Sequence, residues 1–351
     1  MASTRKFLVA VDDSEVSAYA FTWAITNLFR AGDSVLVLTA KNYAPDMPLP
    51  TADIAAGGEY AVPLVAPVSQ EEQLAVEERA RALVDKYMRQ CEQAQVVSEG
   101  EVVQGDPGPH IVNEAARMVA DALVLGSHGR GILGRTFLGS ISDYVRHHST
   151  VPVVIVRQPK AGEAAHDALT SSGMARRVVI AVDESSEADF AFAWAMRHVV
   201  QDRDRLTVLH VQNPIAAPTS LGIADQFGME DVYMPPDTSN RANVKALDDS
   251  EKLVERFMRL VGEGSKAECE GRVVMGPTEE RLVEELKQLN ADLAVVGTRD
   301  HDVISRTFLG SVSDYLAHNC PCPLVVAKMP KPDSRPGSTQ ASPRDSHQHA
   351  I

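Results

Sequence analysis

Short runs of consecutive apolar residues alternate along this chain with longer stretches in which apolar positions recur every three to four residues. Lys6 to Val11 is a continuous apolar run closed by Asp12-Asp13-Ser14, which predicts a short buried strand. Val16 to Arg30 carries Phe21, Ala24, Ile25 and Leu28 at helical spacing. Ser34 to Ala40 is a second continuous strand. Glu71 to Cys91 is a long charged helix with Leu74, Leu83, Val84 and Met88 along it. Gln95 to Val103 predicts a third strand, Gly105 to Pro109 a turn, His110 to Ala120 a helix and Ala122 to Leu125 a fourth strand. A Gly-rich loop over Gly126 to Leu138 leads into a helix from Gly139 to His148 and a last strand from Val151 to Val156. Strands that are apolar throughout, separated by helices, imply a parallel sheet covered on both faces.

The same pattern then starts again. Arg135 to Tyr144 (RTFLGSISDY) returns as Arg306 to Tyr315 (RTFLGSVSDY), an offset of 171 (306 minus 135). Val9 to Asp12 and Ile180 to Asp183, Trp23 and Trp194, and Gly105 and Gly276 keep that offset. A constant, domain-sized offset implies two similar globular units, not a solenoid. The second copy predicts strands at Val178 to Val182, Arg205 to Val211, Glu268 to Val274, Leu293 to Val296 and Leu324 to Ala327. Its helices fall at Ala188 to Val200, Asn243 to Val261, Glu279 to Leu289 and Ser311 to His318. The expected units are 1–158 and 176–329, joined by a linker at 159–175 and followed by a Pro-, Ser- and His-rich tail at 330–351 with the composition of a disordered segment.

Composition narrows the partners. In 351 residues, 48 Asp and Glu against 34 Lys and Arg give a net charge of −14. That balance disfavours nucleic acid and anionic membrane, but not a nucleotide held by backbone N–H groups. The apolar stretch from Ala52 to Val68 is broken by two glycines, Glu59 and prolines, so no membrane span is expected. Cys91, Cys269, Cys320 and Cys322 do not follow the repeat and read as free thiols of a reducing, cytoplasmic setting. His347 and His349 in the tail carry no expected metal role.

The chemistry concentrates in two loops. One follows the first strand and contains Asp12. The other follows the fourth strand as Gly126-Ser127-His128-Gly129, nine further residues, then Gly139-Ser140. In a doubly wound sheet, ligands sit beyond the carboxyl ends of the strands where strand order reverses, between strands one and four here. Glycines admit close backbone approach. Ser140-x-x-Asp143 resembles a capping box with Ser140 as N-cap, which leaves the N–H groups of Ile141 and Ser142 facing an anion. Ser140 and Ser142 offer hydroxyls, Ser127 belongs to the same candidate loop, Arg130 can pair a terminal phosphate, and Asp12, after Val11, can take a ribose hydroxyl or a phosphate-bridging metal ion. Gly129 to Gly134 also spells Gly-x-Gly-x-x-Gly, but it sits before the last strand, which ends in Arg157 and not in an acid. A dinucleotide fingerprint is therefore not expected.

The pattern Gly-x2-Gly-x9-Gly-Ser, together with a first strand ending in Val-Asp, resembles the universal stress protein family in its ATP-binding form. The resemblance spans nearly all of both copies. It implies two tandem flavodoxin/Rossmann-like α/β domains of the HUP type, each a five-stranded parallel sheet with helices on both faces. It also implies pairing through the last strands, Val151 to Val156 and Leu324 to Ala327, as an intramolecular pseudo-dimer. An adenine nucleotide, ATP with or without Mg2+, or AMP or ADP, would lie in the crevice. Carried over, Asp12 stands near adenine and ribose, Ala40 contacts the base, and Gly126, Gly129, Gly139, Ser140 and Ser142 form the ribose and phosphate loop. The matching second set is Asp183, Val211, Gly297, Gly310, Ser311 and Ser313. One departure matters: Asp300 replaces Gly129. A like charge near phosphate costs on the order of 1 kcal/mol or more, so the second copy is expected to bind ATP weakly or to prefer a less charged ligand.

Plainer readings stand beside these. Asp12 and Asp183 also suit a helix cap or turn after a strand. His128 aligns with Arg299 and His210 with Thr39, so neither marks a catalytic group shared by the copies. His147 and His148 suit a helix C-terminus. Trp23, Trp194, Phe137-Leu138 and Phe308-Leu309 read as packing residues. The function expected is nucleotide-dependent sensing or regulation in a stress response, with an unidentified protein partner. A slow ATPase or phosphotransferase and a scaffold subunit without nucleotide are the rivals. No general base and no Gly-Lys-Ser/Thr phosphate loop favours the enzyme.

Overall fold

The computed structural model describes residues 4–41, 69–127, 138–158, 175–213, 236–298 and 310–329, with side chains of 236–242 and 263 excepted. The excursion at 42–68, the Gly-rich loops at 128–137 and 299–309, the linker at 159–174 and the tail at 330–351 lie outside the described residues.

The first copy runs β1 (Lys6–Ala10), α1 (Glu15–Asn27), β2 (Ser34–Lys41), α2 (Gln70–Gln93), β3 (Val97–Gln104), α3 (Pro107–Arg117), β4 (Ala122–Gly126), α4 (Ser140–His148) and β5 (Val153–Val156). The second runs β6 (Arg177–Ala181), α5 (Ser186–His198), β7 (Arg205–Gln212), α6 (Pro236–Gly264), β8 (Glu268–Met275), α7 (Thr278–Gln288), β9 (Leu293–Gly297), α8 (Ser311–Asn319) and β10 (Leu324–Ala327). Each element expected from the pattern has a counterpart, with shifted ends. The stretch from Gly105 to Pro109, expected as a turn, instead opens α3. Asp106 is its N-cap and Pro107 occupies the first helical position, where the missing N–H of proline costs nothing.

All ten strands form one sheet in the order β3-β2-β1-β4-β5-β10-β9-β6-β7-β8. Pairing is parallel within each copy. The copies meet through the antiparallel pair β5–β10, where Val154 faces Val325. Strand residues alternate between two cores. Phe7 and Val9 pack under α1 and α2, while Leu8 packs under α3 and α4. Both cores cross the junction, because Phe192 and Phe257 of the second copy join the first cluster and Leu282 and Leu316 join the other. On α2 the buried stripe is Val84, Tyr87 and Cys91, whereas Leu74, expected on that helix's apolar positions, is 64% exposed. Trp23 and Trp194 are buried, as their helix positions predict.

Paired cations stitch the copies together. Arg5 donates to the His198 carbonyl at 2.8 Å, and its repeat counterpart Arg176 donates to the Asn27 carbonyl at 2.8 Å. Arg157 donates to the Ala317 carbonyl, and its counterpart Lys328 to the Ser149 carbonyl at 3.0 Å. Each of the latter cations thereby satisfies carbonyls near the end of the other copy's last helix, where positive charge is favoured. The four cysteines are free thiols. Burial pushes Cys91 up to about 11, which makes it a poor nucleophile.

Candidate functional site

In each copy the chain reverses its strand order between the first and fourth strands, β1 and β4 or β6 and β9. Two crevices open beyond their carboxyl ends, as that topology requires.

In the first crevice, Val11, Asp12, Ala40, Gly126, Ile141 and Ser142 come together, joined by Ser17, Pro107 and Ile111. Asp12 serves the plainer role as well. Its Oδ1 accepts from the Ser14 N–H at 3.0 Å and from the Ser14 hydroxyl at 2.5 Å. That turn presents Ser14 as the N-cap of α1, accepting from the Ser17 N–H. The cap is thus two residues beyond the aspartate. Thr39 Oγ1 donates to the Val11 carbonyl at 2.7 Å, which pins β2 to the end of β1.

The start of α4 differs from the capping box expected. Gly139, not Ser140, is the N-cap, and no side chain caps the helix. Asp143 then falls one position too late to reach back and instead accepts from Arg146 Nη2 at 2.6 Å. The Asp143 N–H already bonds the Gly139 carbonyl. The N–H groups of Ser140, Ile141 and Ser142 are therefore the ones without an intrahelical acceptor. Ser142 is buried and donates its hydroxyl proton to the Gly126 carbonyl at 2.7 Å. Its expected bond to a phosphate would require giving that up. Ser127 lies behind the crevice: its N–H donates to the Val156 carbonyl and its carbonyl accepts from Gly139. Gly139 and Ser140 flank the lining without joining it. His128, Gly129 and Arg130 lie outside the described residues.

The reason for glycine at Gly126 is also different. A Cβ there would sit 3.0 Å from Val16 Cγ1, and at its counterpart Gly297 a Cβ would sit 2.7 Å from the Glu187 carbonyl oxygen. The missing side chain lets the first helix of each copy cross the strand end closely, whatever the loop binds.

The second crevice gathers all six of its expected residues: Asp183, Val211, Gly297, Gly310, Ser311 and Ser313. Asp183 Oδ1 accepts from Ser185, the N-cap of α5, repeating the first copy's turn. Ser313 Oγ donates to the Gly310 carbonyl at 2.9 Å. Three residues depart from the first crevice. His210 stands at the Thr39 position and its Nδ1 bonds the Val182 carbonyl at 2.8 Å. Glu279 accepts the Ser311 hydroxyl at 2.8 Å. Thr278 Oγ1 lies 3.2 Å from Asn213 Oδ1. Neither His210 nor Glu279 was singled out as a ligand contact. No single segment marked them, because the groups they meet in the crevice belong to other elements of the chain. The crevices also differ in size, at about 110 Å³ for the first and about 450 Å³ for the second. Ligand pockets typically span about 300–1,000 Å³, a range that holds the second crevice and not the first.

Among the described residues, no helix is long and apolar enough to cross a membrane, and no group of three or more His, Cys, Asp or Glu side chains is placed to hold a metal ion.

Comparison with known proteins agrees with this architecture. A model of the universal stress protein family matches residues 3–157 and again 174–328. Universal stress protein PHOS34 of Arabidopsis thaliana is 31% identical over 180 residues, covering 48% of this chain and 66% of the relative's length. Universal stress protein Mb2028c of Mycobacterium bovis is 23% identical over 326 residues, 92% of this chain and 96% of the relative. The crystal structure of a universal stress protein from Archaeoglobus fulgidus superposes with a TM-score of 0.55 at 20% identity, over 92% of this chain and 98% of that one. That similarity shows the shared fold. With the repeat, the doubly wound halves and the family match twice over, the chain belongs to the universal stress protein family and carries its domain in tandem.

Proposed function

We propose that this protein binds an adenine nucleotide and acts as a nucleotide-dependent regulator in a stress response, with the phosphates received at the first crevice. The observation that carries this is the start of α4. Its Ser140, Ile141 and Ser142 N–H groups meet no side-chain cap, and no acidic side chain from α3 faces them, since α3 opens with Pro107-Gly108-Pro109. An uncapped helix end beside a strand switch point favours an anion. Asp12 on the opposite wall accepts ribose hydroxyls or supports a phosphate-bound Mg2+. Ala10, Leu38, Ala40 and Ile111 supply an apolar wall for the base. ATP best uses this arrangement, and ADP and AMP share it in part.

The chain's own residues hold and orient such a ligand. Asp12 is engaged by Ser14, and no other carboxylate lines the first crevice among the described residues. A binding and signalling role therefore accounts for the site better than phosphoryl transfer. We infer that occupancy is read by a protein partner on the surface beside the crevice. The two copies serve as an intramolecular pseudo-dimer held by β5–β10.

Calorimetry with ATP, ADP and AMP on the wild type and on Ile141→Glu tests the reading. Ile141 is 37% exposed at the crevice mouth, so the variant sets a carboxylate over the helix end without disturbing the core. Loss of a binding event in Ile141→Glu supports the proposal, and unchanged titrations in both proteins refute it. Hydrogen exchange that is identical with and without ATP at Ser140 to Ser142 would count against signalling from this site.

A further inference from the structure

We propose that the second crevice takes an uncharged nucleoside and that Glu279 turns away the phosphate-bearing form. This rests on the reading that the crevices accept adenine-type ligands. It goes beyond that reading by assigning the two copies different chemical classes of ligand.

The two crevices share a plan but differ at the wall facing the last helix. In the first copy the position next to the last helix is Gly108, and a Cβ there would lie 2.7 Å from Tyr144 Cδ1. No side chain can enter from that position while Tyr144 stays in place. The equivalent residue of the second copy is Glu279, whose Oε1 accepts the Ser311 hydroxyl at 2.8 Å. Ser311 is the first residue of α8, whose N-terminus has no side-chain cap from its own N-cap, Gly310. The protein's own carboxylate thus stands at the helix end where a phosphate would dock. A carboxylate already favoured by that helix end repels a second anion.

The rest of the lining points the same way. Asp183 stands on the opposite side as Asp12 does in the first crevice, so the acid that sets this crevice apart is Glu279. His210 engages the Val182 carbonyl through Nδ1. A carbonyl accepts, so Nδ1 carries a proton, and in the neutral ring Nε2 is then an acceptor. Two carboxylates and an imidazole acceptor suit a ligand rich in O–H and N–H donors and lacking negative charge. Ribose hydroxyls and an exocyclic amine meet that description, and phosphates do not. The cavity of about 450 Å³ is sufficient for a nucleoside.

His210 provides a probe confined to this crevice. In the full chain, its ring resonances can be assigned by comparison with His210→Gln, and adenosine, AMP and Mg2+-free ATP then titrated. Adenosine is expected to shift them saturably, with AMP needing concentrations about tenfold higher or more. Glu279→Gln keeps the shape and removes the charge. It is expected to bring AMP to within about threefold of adenosine.

Equal responses to adenosine and AMP in the wild type would overturn the inference, as would an unchanged ratio in Glu279→Gln. Recovery of AMP binding on adding Mg2+ would mean that the carboxylates hold a cation, and would overturn the nucleoside assignment. Silence at His210 while calorimetry records nucleotide lost in Ile141→Glu would sink this inference and leave the proposed function standing. Silence at both crevices would remove both.

Discussion

Arg146 of the first copy reaches Asp314 of the second at 2.7 Å, and the same Nη2 lies 2.6 Å from Asp143. Asp143 and Asp314 are counterparts in the repeat, whereas the counterpart of Arg146 is Ala317. One buried guanidinium therefore serves both acidic groups at the junction. Its Nε and Nη1 meet no hydrogen-bond partner among the described residues, so burying it carries a desolvation cost that the two aspartates offset.

Arg146 and Asp314 are consequently expected to be energetically coupled. A double-mutant cycle with Arg146→Met and Asp314→Asn, read by urea denaturation, should give an interaction of about 1–3 kcal/mol. Additive effects would show that the contact contributes nothing. The reverse change, Ala317→Arg, would force a second guanidinium into a site that is 1% exposed. It should cost more than about 2 kcal/mol through overpacking and like charge.

His198 should make stability depend on pH. It is 5% exposed, stacks on Trp194, and has Asp121 at 3.9 Å with Arg5, Arg30 and Arg197 around it. Burial drives its pKa down from 6.5 to about 4, against the opposing pull of Asp121. The folded state therefore excludes a proton that the unfolded chain binds. This contribution is fully present above pH 6.5, is lost as pH falls toward 4, and amounts to on the order of 3 kcal/mol. Unfolding free energies measured from pH 7 to pH 4 should fall more steeply in the wild type than in His198→Gln. Parallel curves would contradict the assignment.

Asp12 combines a turn and a candidate ligand contact, and two substitutions separate them. Asp12→Asn keeps an oxygen for Ser14 and should change stability by less than about 1 kcal/mol, while Asp12→Ala leaves the Ser14 groups unanswered and should cost about 1 kcal/mol or more. If the carboxylate itself meets the ribose or a metal ion, both variants lose nucleotide affinity. Calorimetry alongside thermal denaturation distinguishes the two effects.

Gly126 and Gly297 should respond unequally to alanine. The added methyl meets a side-chain methyl of Val16 at the first site but the backbone of Glu187 at the second. Gly126→Ala should cost below about 1 kcal/mol and Gly297→Ala about 2 kcal/mol or more, because a side chain yields where a backbone does not. Equal melting temperatures would refute the packing explanation.

The strand and helix order, the tandem repeat and the parallel sheet were readable in the apolar pattern, because a doubly buried strand leaves no polar alternation and a helix needs its stripe. The position of Asp12 and Ser142 at a strand switch point followed from topology alone. The N-cap of α4 was not readable: Gly139 and Ser140 are both acceptable caps, and only the Ser127–Gly139 bond to the strand end selects between them. Glu279 and His210 were also hidden, because their neighbours in the crevice come from segments far apart in sequence.

The amino-acid sequence by itself determined two doubly wound units with one crevice each, since periodicity and repeat are local properties. Only the tertiary structure decided that Arg146 would bridge both copies, that a glycine would be required by a crossing helix, and that one crevice would carry a second acid, Glu279, at the start of its last helix. Each of these depends on distances between residues remote in the chain, which burial and packing set after the local elements have formed.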